Sequence, residues 1–134
     1  MRQQKGVNMN IVEFLGTEIV ECTPEKLVLR TPVTEDICNV HGILHGGITA
    51  FLAEHAASEL TTLNSSKDEI IGLGLQLDVT HLQSARAGDT VETVAFPIRY
   101  GGRIRVIRAE QFRLSDGEMT TVSQLTTYIK RPKK

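Results

Sequence analysis

The sequence has 134 residues, which suits one compact domain spanning residues 1–134 and leaves no room for a second. Hydrophobic residues make up 40% and charged residues 23%, as in ordinary globular proteins. The 15 Lys and Arg residues nearly balance the 16 Asp and Glu residues, and the resulting net charge of -1 argues against nucleic acid or an anionic membrane as the partner. Aromatic residues amount to 4%, too few for a platform that stacks nucleic-acid bases.

The sequence also predicts the compartment. No apolar run approaches the roughly 20 residues of a membrane span, and the N-terminal segment MRQQKGVNMN lacks the apolar centre of a signal peptide. We therefore expect a cytoplasmic protein. Cys22 and Cys38 agree with this expectation, because two cysteines without tight spacing form neither a disulfide framework nor a zinc site.

The first part of the chain predicts a short helix followed by two strands. Residues 8–16 carry apolar side chains at roughly helical spacing and end at Gly16, a typical helix stop. The runs TEIVECT and KLVLRTPV, separated by Pro24-Glu25, predict a β-hairpin. The polar loop TEDICNVHG follows the second strand.

The stretch ILHGGITAFLAEHAASELTTL predicts one long helix over residues 46–64. In a helical projection, six apolar residues share one broad face that we expect to pack on a sheet. These residues are Ile48, Phe51, Leu52, Ala56, Leu60 and Leu63. His55 and Glu59 interrupt this face, whereas Glu54 and Ser58 lie together at its edge.

Beyond the helix the apolar period changes to two, as in β-strands. Residues 71–79 show the clearest alternation, and three more strands are predicted by DTVETVAFPI, RIRVIRAEQFRL and EMTTVSQLTTYI. Pro97 predicts an edge or a bulge in its strand, and a slip of the apolar phase between Val106 and Ile107 predicts another bulge. Strands joined by short turns, with one principal helix, predict an α+β fold with an antiparallel sheet.

The start of the long helix carries the candidate site. Two adjacent glycines, Gly46 and Gly47, let a ligand approach the backbone. The free N–H groups of the first helical turn suit a developing negative charge, such as an oxyanion. Glu54 is the candidate general base or nucleophile, because a carboxylate in a partly apolar cleft becomes a better proton acceptor. Ser58 lies one turn further along the helix, within reach of the same side chain.

Helix geometry keeps two of these groups apart. Gly46 and Glu54 are eight residues apart, which corresponds to about 12 Å at 1.5 Å per residue. One chain therefore cannot bring both to the same carbonyl group. If both groups act, the site combines the helix start of one subunit with Glu54 of another, most simply across a two-fold axis.

The pattern of Asn39, His45-Gly46-Gly47, Glu54 and Ser58, followed by alternating strands, resembles the hotdog-fold acyl-CoA thioesterases over nearly the whole chain. It is most similar to the branch that contains the phenylacetate-degradation, 4-hydroxybenzoyl-CoA and menaquinone-pathway thioesterases. The resemblance implies an antiparallel sheet wrapped around one long central helix. It also implies hydrolysis of acyl-CoA thioesters by a homodimer as the minimal unit, which is expected to assemble further into a homotetramer.

The resemblance implies roles for individual residues. The backbone N–H of Gly46 polarises the thioester carbonyl, Glu54 of the opposite subunit acts as base or nucleophile, and Ser58 helps to orient water. Asn39 lies near the thioester, and His45 supports the turn. The residues expected to bind the rest of the substrate, including the nucleotide and phosphates, are Gly47, His81, Ser84, Arg86, Gly102 and Arg103. Coenzyme A is part of the substrate, and no metal or redox cofactor is expected.

Several alternatives remain. A non-catalytic acyl-CoA-binding regulatory module with the same fold would bind without turnover, and a dehydratase of hydroxyacyl thioesters would use His45 or His55 with a carboxylate. Glu59 is the rival candidate for the base. His41 and His45 have the spacing of a metal pair, although the neighbouring glycines predict a turn. The arginines of RIRVIR form a solvated strand face or, at Arg103, contact a CoA phosphate.

Overall fold

The computed structural model describes residues 9–65 and 70–130. In chain order, the elements are α1 (Ile11–Leu15), β1 (Glu18–Thr23), β2 (Lys26–Pro32), a 3-10 turn (Glu35–Ile37), α2 (Gly46–Leu63), β3 (Ile70–His81), β4 (Thr90–Arg99), β5 (Ile104–Arg113) and β6 (Met119–Lys130). The predicted order of one helix, two strands, one long helix and four strands is confirmed. Residues 1–8, whose sequence predicts no signal peptide, lie outside the described residues.

α1 is a short helix with well-defined ends. The Asn10 side chain accepts a hydrogen bond from the Glu13 N–H (2.9 Å), and the Glu13 carboxylate accepts one from the Asn10 N–H (3.1 Å). These two bonds form a complete capping box. Gly16 ends the helix with a φ of 72°, a left-handed conformation that glycine adopts without steric cost. Leu15 is buried and joins α1 to the core.

The six strands form one sheet in the order β1-β2-β4-β5-β6-β3, and all neighbouring strands are antiparallel. α2 crosses this sheet and packs against β2 to β6. The core between helix and sheet is formed by Leu27, Leu29, Ala56, Ala57, Leu60, Ala95, Ile107 and Leu125. The architecture is the antiparallel sheet around one long helix expected for the hotdog fold. In the described part of the chain, neither α-helix has the length and apolar character needed to cross a membrane.

The buried face of α2 differs from the predicted one. The residues buried in this helix are Thr49, Leu52, Ala53, Ala56, Ala57, Leu60 and Thr61. Ile48 and Phe51 are half-buried and pack against the core, as predicted, whereas Leu63 is 53% exposed, so the predicted face is wrong at Leu63. His55 stacks on Phe51, and Glu59 is exposed, so neither interrupts the buried face. The side that packs on the sheet is rich in Ala and Thr because small side chains allow the helix to approach closely.

β3 lies at an edge of the sheet and pairs with β6 alone among the described strands. Its register shifts between Gly74 and Gln76, which oppose successive residues of β6. Leu75 is therefore the extra residue of a β-bulge. Strict alternation would place Leu73 and Leu77 on the same face, but the bulge separates them. Leu77 packs against the core, whereas Leu73 is 55% exposed.

The two sequence predictions about bulges have different outcomes. β4 pairs with β2 and β5, and its register with β5 shifts immediately after Pro97, so the bulge predicted there is confirmed. The bulge predicted between Val106 and Ile107 does not lie in β5, where both residues pair in register with β6. The shift in the β4–β5 register occurs opposite these two residues, and its extra residue is Ile98 of β4. The apolar phase slips there because Arg105 occupies a buried position and donates a hydrogen bond to the Asn64 carbonyl after α2 (3.3 Å). The prediction of a solvated strand face is therefore wrong at Arg105.

Leu60→Ala tests which face of α2 is buried. Leu60 is fully buried, so the substitution should lower the free energy of unfolding by about 2–5 kcal/mol through lost contacts and a residual cavity. Leu63→Ala is the matched control, and it should cost less than about 0.5 kcal/mol because Leu63 is exposed. Urea unfolding followed by circular dichroism measures both changes. Equal losses would contradict the assigned face.

Candidate active site

The loop before α2 is a tight turn organised by Asn39. Its side-chain oxygen accepts hydrogen bonds from the N–H groups of His41 (2.8 Å) and Ile43 (3.2 Å). The Asn39 N–H donates to the Ile43 carbonyl (2.8 Å). Gly42 adopts a φ of 74°, a conformation in which other residues are strained. These interactions fix the backbone that leads into α2.

A second loop, residues 82–87, adjoins the first. The Leu44 N–H donates a hydrogen bond to the Ala85 carbonyl (2.8 Å). Both residues are buried in an apolar cluster that also contains Leu52 of α2. The two loops are therefore attached to each other and to the helix, and together they surround the space in front of its N-terminus.

The N-terminus of α2 presents free backbone donors beside a histidine. His45 precedes the helix and, within the described chain, makes no side-chain capping hydrogen bond. The first N–H groups of a helix have no partner inside the helix. A Cβ atom on Gly46 would lie 3.3 Å from both Cε1 and Nε2 of His81, so the imidazole packs against this glycine. At Gly47, apart from its chain neighbours and the backbone of its own helix, no atom of the described residues lies within 4 Å of the equivalent position, so a ligand has space there.

A cavity of about 220 Å³ opens at this helix start. Four residues predicted from the sequence line it, namely Asn39, Gly46, His81 and Ser84. The other lining residues are Ile43, Leu44, Thr49, Gln83, Ala85, Thr120 and Thr121. The cavity combines apolar walls with polar groups and the positive end of the helix dipole, which suits a ligand that carries a hydrogen-bond acceptor such as a carbonyl.

The three threonines that line this cavity are not among the site residues predicted from the sequence. Thr49 follows Gly46 by three positions on the same helix, so a projection centred on Gly46 would have found it. Thr120 is buried, and its hydroxyl has no hydrogen-bond partner among the described residues. β6 brings Thr120 and Thr121 to the cavity because His81 pairs with Thr121 across the β3–β6 ladder. No local sequence pattern indicates this long-range pairing.

A polar cleft of about 360 Å³ shares Gln83 and Ser84 with the cavity. Its other lining residues are Arg86, Asp89, Arg113, Ser115 and Asp116. The Arg113 guanidinium donates to the Ser84 carbonyl (2.6 Å) through Nη1 and to the Asp116 carboxylate (2.8 Å) through Nε. Arg113 therefore holds the 82–87 loop against the turn that follows β5.

Two carboxyl groups of the cleft have lowered pKa values. Burial by itself would raise the pKa of Asp89. Hydrogen bonds from the Ser115 hydroxyl (2.6 Å) and from the N–H groups of Thr90 and Ser115 outweigh burial, so the pKa lies below the ordinary value of 3.8. The hydrogen bond from Arg113 lowers the pKa of the exposed Asp116. Both carboxylates are charged at neutral pH and offset the arginine charges of the cleft.

Glu54 lies outside the cavity. α2 is continuous from Gly46 to Leu63, so Glu54 is about 12 Å from Gly46 along the helix axis. Its side chain is exposed, with Oε2 3.3 Å from the position of a Cβ atom on Gly74 of β3. Ser58 is half-buried one turn further along. The partly apolar cleft expected around Glu54 is therefore not formed by this chain alone.

Gly102 and Arg103 lie far from the cavity. They follow Tyr100 in the β4–β5 turn, and the Tyr100 hydroxyl accepts a hydrogen bond from the Asn64 amide at the C-terminal end of α2 (3.3 Å). α2 contains 18 residues and is therefore about 27 Å long. Since Gly46 begins this helix, the length of α2 separates it from both residues within one chain.

The two histidines with metal-pair spacing lie in the loop before α2. His41 and His45 are both exposed, and His45 immediately precedes the helix. Residues 9–65 and 70–130 contain no group of three or more His, Cys, Asp or Glu side chains that could hold a metal ion. Both histidines belong to the turn that leads into α2.

Comparisons with known proteins agree with this geometry. Residues 41–120 match the sequence model of the thioesterase superfamily. A 1,4-dihydroxy-2-naphthoyl-CoA hydrolase from Listeria monocytogenes is 34% identical over 94% of this chain and 100% of that protein. A protein of the same name from Escherichia coli is 32% identical over 90% of this chain and 86% of its own. A solved thioesterase from Haemophilus influenzae superposes with a TM-score of 0.85 at 27% identity and covers 92% of this chain and 85% of its own.

Asp89→Asn tests the electrostatic role of the cleft. A carboxyl group whose pKa is lowered by folding stabilises the native state above its unfolded pKa, and this contribution is lost as the pH falls through its folded pKa. The variant should therefore unfold at a lower urea concentration than wild type at pH 7, and the difference should shrink as the pH falls below 3.8 and through the lowered pKa of Asp89. Asp36→Asn, in the exposed 3-10 turn, controls for the loss of one charge. Parallel pH profiles for wild type and Asp89→Asn would contradict this role.

Proposed function

Because this chain belongs to the thioesterase superfamily, we propose that it hydrolyses acyl-CoA thioesters to the free acid and coenzyme A at a site shared by two subunits. Gly46 of one subunit polarises the thioester carbonyl, and Glu54 of the facing subunit supplies the carboxylate. One observation carries this proposal. The helix start opens into a cavity, whereas Glu54 lies about 12 Å away on the same rigid helix, outside that cavity.

The free edge of β3 supports assembly through this strand. Sheet edges that remain unpaired are usually short, charged, bulged or interrupted by proline. β3 has 12 residues, and residues 70–77 contain neither charge nor proline. Leu73 and Leu75 are 55% and 58% exposed there. By contrast, β1 at the other edge has only six residues and carries Glu18 and Glu21. Both edge strands have an irregular register, so length and charge are the features that distinguish them.

A second copy paired along β3 would cover the Glu54 carboxylate, because this group rests against Gly74 of the same strand. The covering subunit would supply the apolar surroundings that one chain lacks. A homodimer is therefore the proposed minimal catalytic unit. Further assembly into a homotetramer stays a prediction.

In the proposed reaction, the thioester carbonyl oxygen accepts a hydrogen bond from the Gly46 N–H. The positive end of the α2 dipole stabilises the negative charge that develops on this oxygen. Glu54 removes a proton from the water that attacks the carbonyl carbon, or it attacks directly and forms an anhydride that water then hydrolyses. In both routes the carbon–sulfur bond breaks, and the CoA thiolate leaves and takes up a proton. Ser58, one helical turn from Glu54, orients the water.

The cavity is proposed to bind the thioester end of the substrate, and the polar cleft is proposed to bind part of coenzyme A. Asn39 and His81 lie beside Gly46, so they act at the thioester end. Arg86 lies in the polar cleft that shares Ser84 with the cavity, and this cleft accommodates polar parts of coenzyme A. The reaction uses only side chains, backbone N–H groups and water. The proposal therefore includes no metal or redox cofactor.

The relatives narrow the choice of acyl groups to test. Two of them are named 1,4-dihydroxy-2-naphthoyl-CoA hydrolases, so an aromatic acyl-CoA is the first substrate class to examine. Nucleic acid is not a proposed ligand, in keeping with the net charge of -1. The cytoplasmic location expected from the sequence remains part of the proposal.

Glu54→Gln tests the carboxylate. The substitution keeps the size of the side chain but removes its ability to accept a proton or attack a carbonyl, so kcat should fall by at least about 100-fold. A thiol-reactive dye measures CoA release from 1,4-dihydroxy-2-naphthoyl-CoA and from short and long aliphatic acyl-CoAs. Glu59→Gln, an exposed carboxylate on the same helix, is the matched control and should retain turnover.

Two outcomes of this experiment would overturn the proposal. Near-normal turnover by Glu54→Gln would exclude Glu54 as base or nucleophile. If the wild-type protein binds the acyl-CoA panel without turnover, the non-catalytic regulatory module is the better description.

Mixing two inactive variants tests the shared site. Gly46→Pro removes the proposed N–H donor at the first helical position, where proline is tolerated. After random exchange with Glu54→Gln subunits, half of the dimers are mixed, and each has one intact site. Activity should therefore return to about a quarter of the wild-type value, as two-fold symmetry requires. Circular dichroism checks the fold of each variant and native mass spectrometry checks exchange. Exchange without recovered activity would contradict a shared site.

A further inference from the structure

The bulge in β3 places a glycine beside the candidate catalytic carboxylate. A Cβ atom on Gly74 would lie 3.3 Å from Oε2 of Glu54 and 3.7 Å from Cδ1 of Leu125. The first distance is shorter than a normal van der Waals contact, and the second is an ordinary contact. The Glu54 carboxylate therefore lies beside Gly74, and any side chain at position 74 would press against it.

Backbone conformation does not explain a glycine at this position. Among the described residues, the glycines with positive φ are Gly16, Gly42, Gly88, Gly102 and Gly117. Gly74 is not among them and lies within a strand, where glycine is unfavourable because it has no side chain to pack. The missing side chain leaves space beside the Glu54 carboxylate, because a Cβ atom at this position would crowd Oε2 at 3.3 Å.

We infer that Gly74 is a positioning residue that sets where the Glu54 carboxylate lies relative to the thioester. This inference rests on the proposed role of Glu54. A methyl group at position 74 would displace the carboxylate by a few tenths of an ångström, and a larger side chain would displace it further. The added methyl group would meet the flexible end of the Glu54 side chain, which can move without disturbing the fold. The rate of catalysis should nevertheless fall, because the moved carboxylate loses its alignment with the substrate.

Substitutions of Gly74 should lower kcat without lowering the stability of the fold. Gly74→Ala should lower kcat by about 10-fold, and Gly74→Val should lower it further, because a displacement of about 1 Å costs up to 100-fold. KM should change by less than about twofold, since coenzyme A and the acyl group are bound elsewhere, and only the catalytic carboxylate moves. The urea midpoint should stay the same or rise, because both residues favour a strand more than glycine does.

Gly101→Ala is the matched control. A Cβ atom at this position would lie 3.0 Å from Nε and Nη2 of Arg99, so it also presses on the flexible polar end of a side chain. Gly101 lies in the β4–β5 turn, away from Glu54. This variant should keep the wild-type kcat, because Gly101 makes no contact with Glu54.

Combining Gly74→Ala with Glu54→Asp tests the contact itself. Aspartate is one methylene shorter, which draws the carboxylate back from the added methyl group. If Gly74 acts through Glu54, Glu54→Asp should be less harmful in the Gly74→Ala background than in wild type, and a double-mutant cycle of kcat values measures this coupling. Additive losses, or a stability loss that parallels the loss of activity, would overturn the inference.

The outcome also separates this inference from the proposed function. If Glu54→Gln is inactive but Gly74→Ala has the wild-type kcat, only the role of Gly74 fails. If Glu54→Gln retains full turnover, the proposed function itself fails.

Discussion

The rigidity of α2 is the constraint on which the rest of this structure depends. A helix rises 1.5 Å per residue, so its N-terminal donors at Gly46 and its carboxylate at Glu54 cannot converge on one bond. Buried residues such as Leu52 and Leu60 attach the helix to the sheet along its length, so it cannot bend to shorten this distance. A site that needs both groups must therefore be completed by another chain.

Irregularities in the sheet position the groups around this helix. The extra residue Leu75 turns Leu73 outward and leaves Gly74 opposite the helix, where the Glu54 carboxylate lies. A second irregularity, at Thr120, occurs where β6 reaches the cavity. Bulges reorient side chains without changing the strand order. These two of the sheet's register shifts therefore lie beside the two halves of the candidate site.

Charge pairing explains how a nearly neutral chain can present a polar cleft. Arg113 is bound to Asp116, Arg108 to Glu110 and Arg30 to Glu92. Exposed pairs of this kind contribute little to stability. Their effect here is to localise charge, since each of these three arginines is paired with a neighbouring carboxylate. Recognition of an anionic substrate must then depend on the placement of a few groups rather than on a broad positive surface.

The sequence by itself determined the order of the elements, the end of α1 at Gly16 and the spacing of Gly46 and Glu54 on one helix. These features depend on hydrogen bonds and helical rise over a few residues, so local patterns carry them. Only the tertiary structure decided which face of α2 is buried, since this depends on how closely its small residues approach the sheet. Only the tertiary structure places His81 against Gly46 and the Glu54 carboxylate beside Gly74. Both contacts join segments far apart in the chain, and the packing of α2 against β3 determines them.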